Sequence, residues 1–289
     1  MKKILLVLWI ISLTTGRSFA QWESEATGFS VQRGINQIVS PSANVVWATA
    51  YNPFTVFLPC RDYCKSTDGG NTWTAATITD ASTHSIWICV SATDENNAWA
   101  LLYDFQLFTG TLWKTSDGGS TWTQQGAGVI YTSSTSFPDI IHFWDADTGV
   151  VIGDPVNGDF EIYTTTDGGT TWTQADNSNI PDALAEEYGA AGFSESVPVY
   201  HNIIWFGTNS GRIFKSTDRG HTWAVQETGL GDIYPLVFKD ENNGWLQTYD
   251  ADGYFIDMYR TTDGGATWNN ITPSENFYIN AMCYVPGTQ

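Results

Sequence analysis

The sequence of 289 residues is poor in basic side chains, with 12 Lys and Arg against 31 Asp and Glu and a formal charge of −19. A surface of this charge repels phosphate backbones and anionic lipid head groups, so we expect no nucleic-acid partner. The acidity does not indicate disorder. Hydrophobic residues make up 42% of the chain and 14 residues are Trp, and that much aromatic surface requires a buried core.

Long hydrophobic runs are missing after the first twenty residues. There, Lys2 and Lys3 precede the apolar run ILLVLWIISL, and a polar stretch ends at Ser18-Phe19-Ala20. This pattern is typical of a secretory signal peptide, and the run is short for a membrane span, although a retained anchor is the alternative. We predict a signal peptide at 1–20, cleaved after Ala20. The mature chain, 21–289, would be secreted, periplasmic or at the cell surface, with no membrane span and a formal charge of −22.

Cysteine and histidine are scarce, with four of each. Cys60 and Cys64 form a Cys-x-x-x-Cys pattern, and an exported chain permits a disulfide, but the spacing does not establish one. A second close cysteine pair and well-spaced histidines are both missing, because Cys89 and Cys283 stand alone. We therefore predict no zinc site.

Helical periodicity is lacking except around DALAEEYGAA (182–191). One motif instead occurs five times, as KSTDGGNTW, KTSDGGSTW, TTTDGGTTW, KSTDRGHTW and RTTDGGATW. Its aspartates are 49, 50, 51 and 45 residues apart. A nearly fixed period predicts a repeat architecture, and an enzyme seldom needs five copies of one catalytic acid.

Each copy has the composition of a β-hairpin. Two β-prone runs are joined by Asp-Gly-Gly, where glycine supplies a positive φ and the aspartate can accept hydrogen bonds from backbone amides. The tryptophan five residues after the aspartate would pack between neighbouring repeats. The predicted structural residues are Asp68, Gly70, Trp73, Asp117, Gly119, Trp122, Asp167, Gly169, Trp172, Asp218, Gly220, Trp223, Asp263, Gly265 and Trp268.

A second hairpin recurs between the copies, as in IWICVSATDENNAWALLY and YPLVFKDENNGWLQTY. Four short strands per repeat predict an all-β fold, a β-propeller of four-stranded blades, and the regular spacing disfavours a β-sandwich. We expect five full blades and a partial sixth that begins with YINAMCYVPGTQ (278–289). Residues 22–32 would lend a strand to the last blade, and the C-terminus would be truncated.

The pattern S/T-x-D-x-G-x-T-W resembles the Asp-box, or BNR repeat, of sialidases, some xyloglucan hydrolases, sortilin-type receptors and a plant and cyanobacterial assembly factor. This resemblance implies that the box joins the third and fourth strands of a blade, on the outer rim and away from the ligand face.

Within this superfamily the chain is most similar to photosystem II stability/assembly factor-like proteins of bacteria. The similarity lies in QRGINQIV (32–39), VVIGDPVNGDFEIYTTTDGG (150–169), IPDALAEEYGAAGF (180–193) and IIWFGTNSGRIFKSTDRGHTW (203–223). Binding by the photosynthetic proteins is associated with a basic patch. This acidic chain departs from that pattern, so the resemblance implies the fold and not the partner.

These observations favour an exported, non-enzymatic propeller that binds a protein or glycan through its central face. The candidate ligand-facing residues are Arg33, Asp154, Glu187 and Tyr188, with Asp159 and Glu186 beside them. The alternative for each is an ordinary solvated loop residue.

A glycoside hydrolase of the sialidase or xyloglucanase type is the alternative function. A sialidase needs three arginines for the sugar carboxylate, but Arg219 and Arg260 lie in the repeated motif, and Gly-Ile follows Arg33 where the family shows Ile-Pro. A two-carboxylate glycosidase stays open, because 31 acids always permit a pair.

We predict no catalytic residue, no metal ligand and no cofactor. Calcium is the alternative at the acidic segment YDADGYFID, through Asp250, Asp252 and Asp257. This Asp-x-Asp-Gly stretch lacks the remaining ligands of a calcium loop.

Overall fold

The computed structural model describes residues 26–54, 58–189, 198–250 and 253–274, and these form twenty β-strands in five four-stranded antiparallel sheets. Blade 1 contains β1 (Gly34–Val39), β2 (Val46–Tyr51), β3 (Asp62–Ser66) and β4 (Thr74–Thr77). Blade 2 contains β5 (Ser85–Ala92), β6 (Ala98–Asp104), β7 (Thr109–Thr115) and β8 (Thr123–Gln125). Blade 3 contains β9 (Pro138–Phe143), β10 (Gly149–Val156), β11 (Asp159–Thr165) and β12 (Thr173–Gln174).

Blade 4 contains β13 (Val199–Tyr200), β14 (Ile203–Gly207), β15 (Arg212–Ser216) and β16 (Ala224–Glu227). Blade 5 contains β17 (Asp232–Phe238), β18 (Gly244–Tyr249), β19 (Phe255–Thr261) and β20 (Asn269–Asn270). Neighbouring strands in each sheet follow one another in the chain. The predicted all-β propeller of four-stranded blades is confirmed, with five blades. The segment predicted to begin a sixth blade lies outside the described residues.

The position of a strand within its blade follows from its composition. The second strand of blade 2, AWALLYD, is buried throughout, and the first strand, SIWICVSA, is buried in all but its last residue. The first strands of consecutive blades contact each other, as β5 contacts β9. The fourth strands are short, polar and more exposed, as in TQQ of β8. The first strands are therefore innermost, and the fourth strands form the outer wall.

The strand order divides the loops between two rims. The turn between the third and fourth strands lies beside the turn between the first and second. In blade 2 the amide of Gly118 donates to the carbonyl of Asn96 at 3.0 Å, and in blade 3 that of Gly168 donates to Asp147 at 2.7 Å. We call this side the turn rim. The hairpins between second and third strands, and the connections between blades, lie on the opposite rim.

The five Asp-Gly-Gly or Asp-Arg-Gly turns share one hydrogen-bond pattern. In blade 2 the Thr115 hydroxyl donates to Asp117 Oδ1 at 2.9 Å and accepts from the Gly119 amide at 2.8 Å. Asp117 Oδ1 also accepts from the Thr121 amide at 2.9 Å, and Oδ2 accepts from the Thr121 hydroxyl at 2.7 Å. These bonds to Thr121 and Thr115 lower the pKa of Asp117 to about 2. Gly119 has a φ of 92°, which a residue with a Cβ rarely adopts.

The other four turns repeat this geometry around Asp68, Asp167, Asp218 and Asp263. Each carboxylate thus bonds two flanking hydroxyl residues and one amide. We refer to these five elements as the aspartate turns.

The tryptophans that follow the turns of blades 2 to 5 pack towards the preceding blade. Trp122 of blade 2 makes an edge-on contact with Tyr63 of blade 1 at 5.6 Å and donates to its hydroxyl at 3.2 Å. Trp172 and Trp223 lie in the corresponding apolar clusters between blades 2 and 3 and between blades 3 and 4. Trp73 and Trp268 are half-buried. These contacts make consecutive blades share apolar clusters.

A cation on the third strand joins one blade to the next turn. Lys65 lies 4.8 Å from the Trp47 ring, its neighbour across β2 and β3, and donates to the Gly118 carbonyl of the next aspartate turn at 2.7 Å. Lys114 stacks on Trp99 in the same way at 5.2 Å, and the Trp99 indole donates to Gly168 of blade 3 at 3.1 Å. Consecutive blades are therefore fastened at the turn rim as well as through their apolar faces.

Two details of the chain correct or extend the sequence interpretation. Residues 26–32, which belong to the segment expected to complete the last blade, form no strand. Gly28 lies instead against Trp73 and Ala75 of blade 1, where an added Cβ would come within 3.2 Å of the Trp73 carbonyl. Cys60 and Cys64 are buried free thiols, and burial raises the pKa of Cys64 to about 11.

Truncation of a buried turn tryptophan should destabilise the protein more than removal of the turn carboxylate. Trp122→Ala removes a side chain that is 6% exposed, and we expect a loss of about 3–5 kcal/mol in the free energy of unfolding. Asp117→Ala should cost less, because its carboxylate is exposed to solvent. Urea unfolding followed by tryptophan fluorescence measures both.

The matched control is Asp147→Ala, which removes an exposed carboxylate from the same rim outside the turn pattern. Equal stability of Asp117→Ala and Asp147→Ala would contradict the structural role given to the turn carboxylate.

Candidate functional site

Exposed large apolar side chains are concentrated on the opposite rim. Ile38, near the end of β1, lies nearer to the turn rim, and no exposed large apolar side chain of the described residues belongs to an aspartate turn. Those carried by opposite-rim loops are Phe54, Leu58, Leu107, Phe108, Val129, Leu184, Tyr188 and Tyr254. Exposed apolar side chains that cluster on one surface mark an interaction site.

The hairpin between β6 and β7 presents two of these side chains in a fixed conformation. The buried Asp104 carboxylate accepts hydrogen bonds from the amides of Gln106 at 2.7 Å and Leu107 at 3.0 Å. Phe108 has a φ of 52°, which is unusual for an aromatic residue. Leu107 and Phe108 are 67% and 58% exposed. The hairpin therefore exposes two apolar side chains to solvent, although polar side chains at this turn would be better solvated.

An apolar cleft of ≈ 480 Å³ lies beside this hairpin. Leu107 and Leu112 line one part, and the loop after β8 lines the other with Ile130 and Tyr131. The lining contains no acidic, basic or histidine side chain. Val129, 47% exposed, belongs to the same loop. The cleft therefore suits an uncharged apolar group.

A pair of carboxyl groups lies in blade 3, on the inner part of the same rim. Asp139 of β9 is 5% exposed, and its Oδ2 atom receives no donor from a protein N–H; the carboxyl of Asp154 on β10 lies beside it. Burial, followed by the charge of Asp154, raises the pKa of Asp139 well above its usual range. Burial also raises the pKa of Asp154, to about 6. The two groups therefore share a proton more readily than isolated aspartates.

The connection from blade 3 to blade 4 is fixed over this pair. Glu187 is buried and accepts from Arg212 Nη1 at 2.7 Å and from the Thr208 hydroxyl at 2.6 Å. Two residues on, the Gly189 amide donates to Asp154 Oδ1 at 2.9 Å. Tyr188 stands between these anchors and is 48% exposed. The ion pair thus acts as an internal support that holds Tyr188 outward.

Tyr188 is close to two carboxylates. Partial burial raises its pKa, and the charges of Asp232 and Asp154 raise it further. Asp232 begins β17 of blade 5, and burial raises its pKa. An exposed tyrosine therefore lies within electrostatic range of carboxylates from two different blades.

Tyr131 connects the apolar cleft to the carboxyl pair. Its ring lies between two glycines: an added Cβ would come within 2.8 Å of the ring at Gly110 and within 2.5 Å at Gly153. Gly110 lines the cleft, and Gly153 precedes Asp154. The Tyr131 hydroxyl donates to the Ile152 carbonyl at 2.9 Å, so the ring is fixed. The cleft and the carboxyl pair therefore lie on either side of one buried ring.

The basic side chains of the opposite rim are already engaged. Arg33 pairs with Asp62 at 2.7 Å, and Arg61 donates to the carbonyls of Ile78 and Ala81. Arg212 is held by Glu187, as described. The lysines Lys65, Lys114 and Lys215 occupy the ends of third strands at the turn rim. Asp154, Asp232 and Glu186 have no basic partner among the described residues, so this rim presents uncompensated negative charge.

Of the sequence-predicted ligand residues, Asp154, Glu187 and Tyr188 come together, but Arg33 lies apart in blade 1. Glu187 supports the loop from inside, whereas Glu186, with a φ of 60°, is exposed. Asp159 accepts from the Asn177 side chain at 2.6 Å.

Among the described residues no group of three His, Cys, Asp or Glu is placed to hold a metal ion. Asp250 accepts from the Tyr254 amide at 2.8 Å, and Asp257 accepts from the Thr272 hydroxyl at 2.9 Å. Asp252 lies outside the described residues. No helix in the described ranges has the length and hydropathy of a membrane span.

Sequence reasoning missed Asp139, Tyr131 and Asp232. A signal for Asp139 was present, since it is an acid inside the otherwise apolar strand PDIIHF. Nothing local distinguishes Tyr131 or Asp232, because their neighbours belong to other blades.

Comparisons with solved structures support the propeller fold. The chain is similar to a sialidase described as Hadza microbial sialidase Hz136, with 13% identity, 82% of this chain and 57% of that chain covered, and a TM-score of 0.50. It is similar to a prolyl endopeptidase structure, with 9% identity, 84% and 36% coverage and a TM-score of 0.52. At these identities the likeness shows the fold alone.

A third similar structure is that of YCF48 bound to D1 peptide, with 18% identity, 86% of this chain and 85% of that chain covered, and a TM-score of 0.42. No family model and no curated protein matched the sequence.

The buried ion pair should be essential for the loop that carries Tyr188. Glu187→Gln removes the buried charge partner of Arg212 and leaves only the exposed carboxylate of Glu227, 3.4 Å from Nε, so we expect a loss of about 3–5 kcal/mol in unfolding free energy. Glu186→Gln, the neighbouring exposed glutamate, is the control and should change stability little. Urea unfolding of both variants gives the comparison, and equal effects would contradict the support role of Glu187.

Removal of the Asp139 charge should stabilise the protein in a pH-dependent way. The folded state binds the Asp139 proton more tightly than the unfolded state, so its stability falls as pH rises from about 4 towards the raised folded pKa. Asp139→Asn stays neutral and avoids this loss. We expect the variant to be more stable than the parent at pH 7.5, with little difference near pH 4.

Urea unfolding at the two pH values measures this, with Asp147→Asn as an exposed control. A stability difference that is the same at both pH values would show that ionisation of Asp139 is not its cause.

Proposed function

We propose that this protein is a non-enzymatic binding propeller that engages a protein partner through the rim opposite the aspartate turns. One observation carries the proposal: the exposed large apolar side chains are gathered on that rim. A soluble protein gains nothing from such exposure unless a partner covers it. The rigid blades would hold the loops in place, and the loops would make the contacts.

The aspartate turns would be Asp-boxes of the sialidase-superfamily type, with a structural role. Their bonding groups are used inside the turn itself. Residues 1–20 would be a cleaved signal peptide, and the protein would act outside the cytoplasm. A glycan is the alternative ligand for the same rim, because exposed aromatic residues such as Tyr188 and Phe54 also suit carbohydrate binding.

A glycoside hydrolase is the second candidate, and the carboxyl pair in blade 3 is the observation in its favour. Glycosidases hold their two carboxyl groups about 5–9.5 Å apart so that the sugar bond fits between them. Asp139 and Asp154 instead interact directly, and Asp139 is buried away from solvent. The arginines that a sialidase would direct at the sugar carboxylate are occupied in ion pairs or bonded to carbonyls. These contacts favour binding over hydrolysis.

The test is a selection from a displayed random peptide library on the immobilised full chain. Peptides enriched on the parent protein should lose binding to Leu107→Asp and keep binding to Ile38→Asp, which places the same charge at the exposed apolar residue near the turn rim.

A glycan array and a panel of fluorogenic glycosides are run beside the selection. Turnover of any glycoside would overturn the proposal in favour of the hydrolase. Glycan binding without enriched peptides would replace the protein partner with a carbohydrate.

A further inference from the structure

We propose that the opposite rim binds a basic polypeptide segment: one large apolar side chain enters the cleft beside Leu107, and a lysine or arginine contacts Asp154 and Asp232 beside Tyr188. This inference rests on the proposed function and names the chemistry of its partner. It depends on three observations: the apolar cleft, the uncompensated carboxylates and the residue that joins them.

The apolar half of the site is built before any ligand arrives. The Asp104 carboxylate caps the hairpin that carries Leu107, and the Thr109 hydroxyl donates to the Tyr131 carbonyl at 2.8 Å, which fastens the facing loop. Glycines 110, 126 and 128 lie in the lining, so backbone approaches the cleft closely. A preformed cleft without charged lining loses little entropy on binding and favours an aliphatic or aromatic side chain.

The charged half offers acceptors without matching donors. Asp139 Oδ2 is buried against Gly189 and receives no N–H donor, and the carboxyl of Asp154 beside it is half-buried. Asp232 Oδ1 likewise has no donor among the described residues. Tyr188 adds the face of an aromatic ring near both Asp154 and Asp232. A lysine or arginine side chain would donate to the half-buried carboxylates of Asp154 and Asp232, and its charge would be attracted by these carboxylates and by the ring.

The junction between the halves indicates one extended ligand. The Tyr131 ring packs against Gly110, which lines the cleft, and against Gly153, which precedes Asp154 of the carboxyl pair. A small amine would use only the charged half, and a neutral hydrophobic ligand only the cleft. A polypeptide segment with an apolar residue and a basic residue on the same side would fill both.

The distribution of charge on the opposite rim favours a positively charged partner. The three arginines of the opposite rim are engaged inside the protein by carboxylates or backbone carbonyls, while the lysines fasten blades at the turn rim. A basic partner would therefore be attracted to the opposite rim, and an acidic one would be repelled by Asp154, Asp232 and Glu186.

The experiment measures fluorescence anisotropy of short fluorescein-labelled peptides on the full chain at pH 7.5. The probe is a repeat of Lys-Leu-Gly-Ser, and the matched peptides are repeats of Glu-Leu-Gly-Ser and Lys-Ser-Gly-Ser. We expect saturable binding of the first alone, with a Kd that increases with salt. Leu107→Ser should raise that Kd about 10-fold, the value of one buried leucine side chain. Asp154→Asn should raise it about 3- to 10-fold.

Matched controls at the turn rim are Ile38→Ser for the apolar change and Glu95→Gln for the charge change, and neither should alter the Kd. Thermal unfolding verifies that each variant is folded. Equal binding of the glutamate peptide, or equal effects of Asp154→Asn and Glu95→Gln, would overturn the basic partner while leaving an apolar protein partner in place. Absence of binding by all three peptides would overturn the inference, and the library selection would then decide the proposed function separately.

Discussion

Burial of apolar sheet faces between consecutive blades is the constraint on which the structure depends. A four-stranded sheet with aromatic side chains on both faces is not stable alone, and consecutive blades here cover each other's apolar faces. The buried side chains form four apolar clusters, and each cluster joins two consecutive blades. The aspartate turns serve the same purpose, since they set the direction in which the next strand and its tryptophan leave the turn.

In blade 3, different residues make the contact between a cation and an aromatic ring that joins consecutive blades at the turn rim. In this blade, Val150 and Thr164 occupy the positions that Trp99 and Lys114 occupy in blade 2. The two residues pair across β10 and β11. The following aspartate turn has Arg219 where the other turns have their first glycine. Arg219 lies 5.6 Å from the Trp144 ring and 3.1 Å from Asp145 of blade 3. The cation therefore comes from the turn itself, and the junction keeps a positive charge on an aromatic ring.

The two rims divide stability from recognition. The turn rim uses its carboxylates, hydroxyls and cations on the protein's own backbone, so few of these groups remain for a ligand. On the opposite rim, some polar groups are paired within the protein, as Arg212 is with Glu187. Other carboxylates and several apolar side chains of this rim remain exposed. Because the blades are held rigidly at the turn rim, loops on the other side can differ in length and composition without loss of the fold.

The sequence by itself determined the four-stranded blades, because a period near fifty residues, the Asp-Gly-Gly turns and the alternation of apolar strands depend on neighbours in the chain. It also indicated Asp154, Glu187 and Tyr188, because an acidic and aromatic loop stands out locally. Only the tertiary structure decided that Glu187 supports the loop from inside, that Arg33 lies elsewhere, and that Asp139 meets Asp154. Those outcomes depend on contacts between separate strands and blades. The strand PDIIHF marks Asp139 as an acid among apolar residues, but its contact with Asp154 exists only once β9 and β10 have paired.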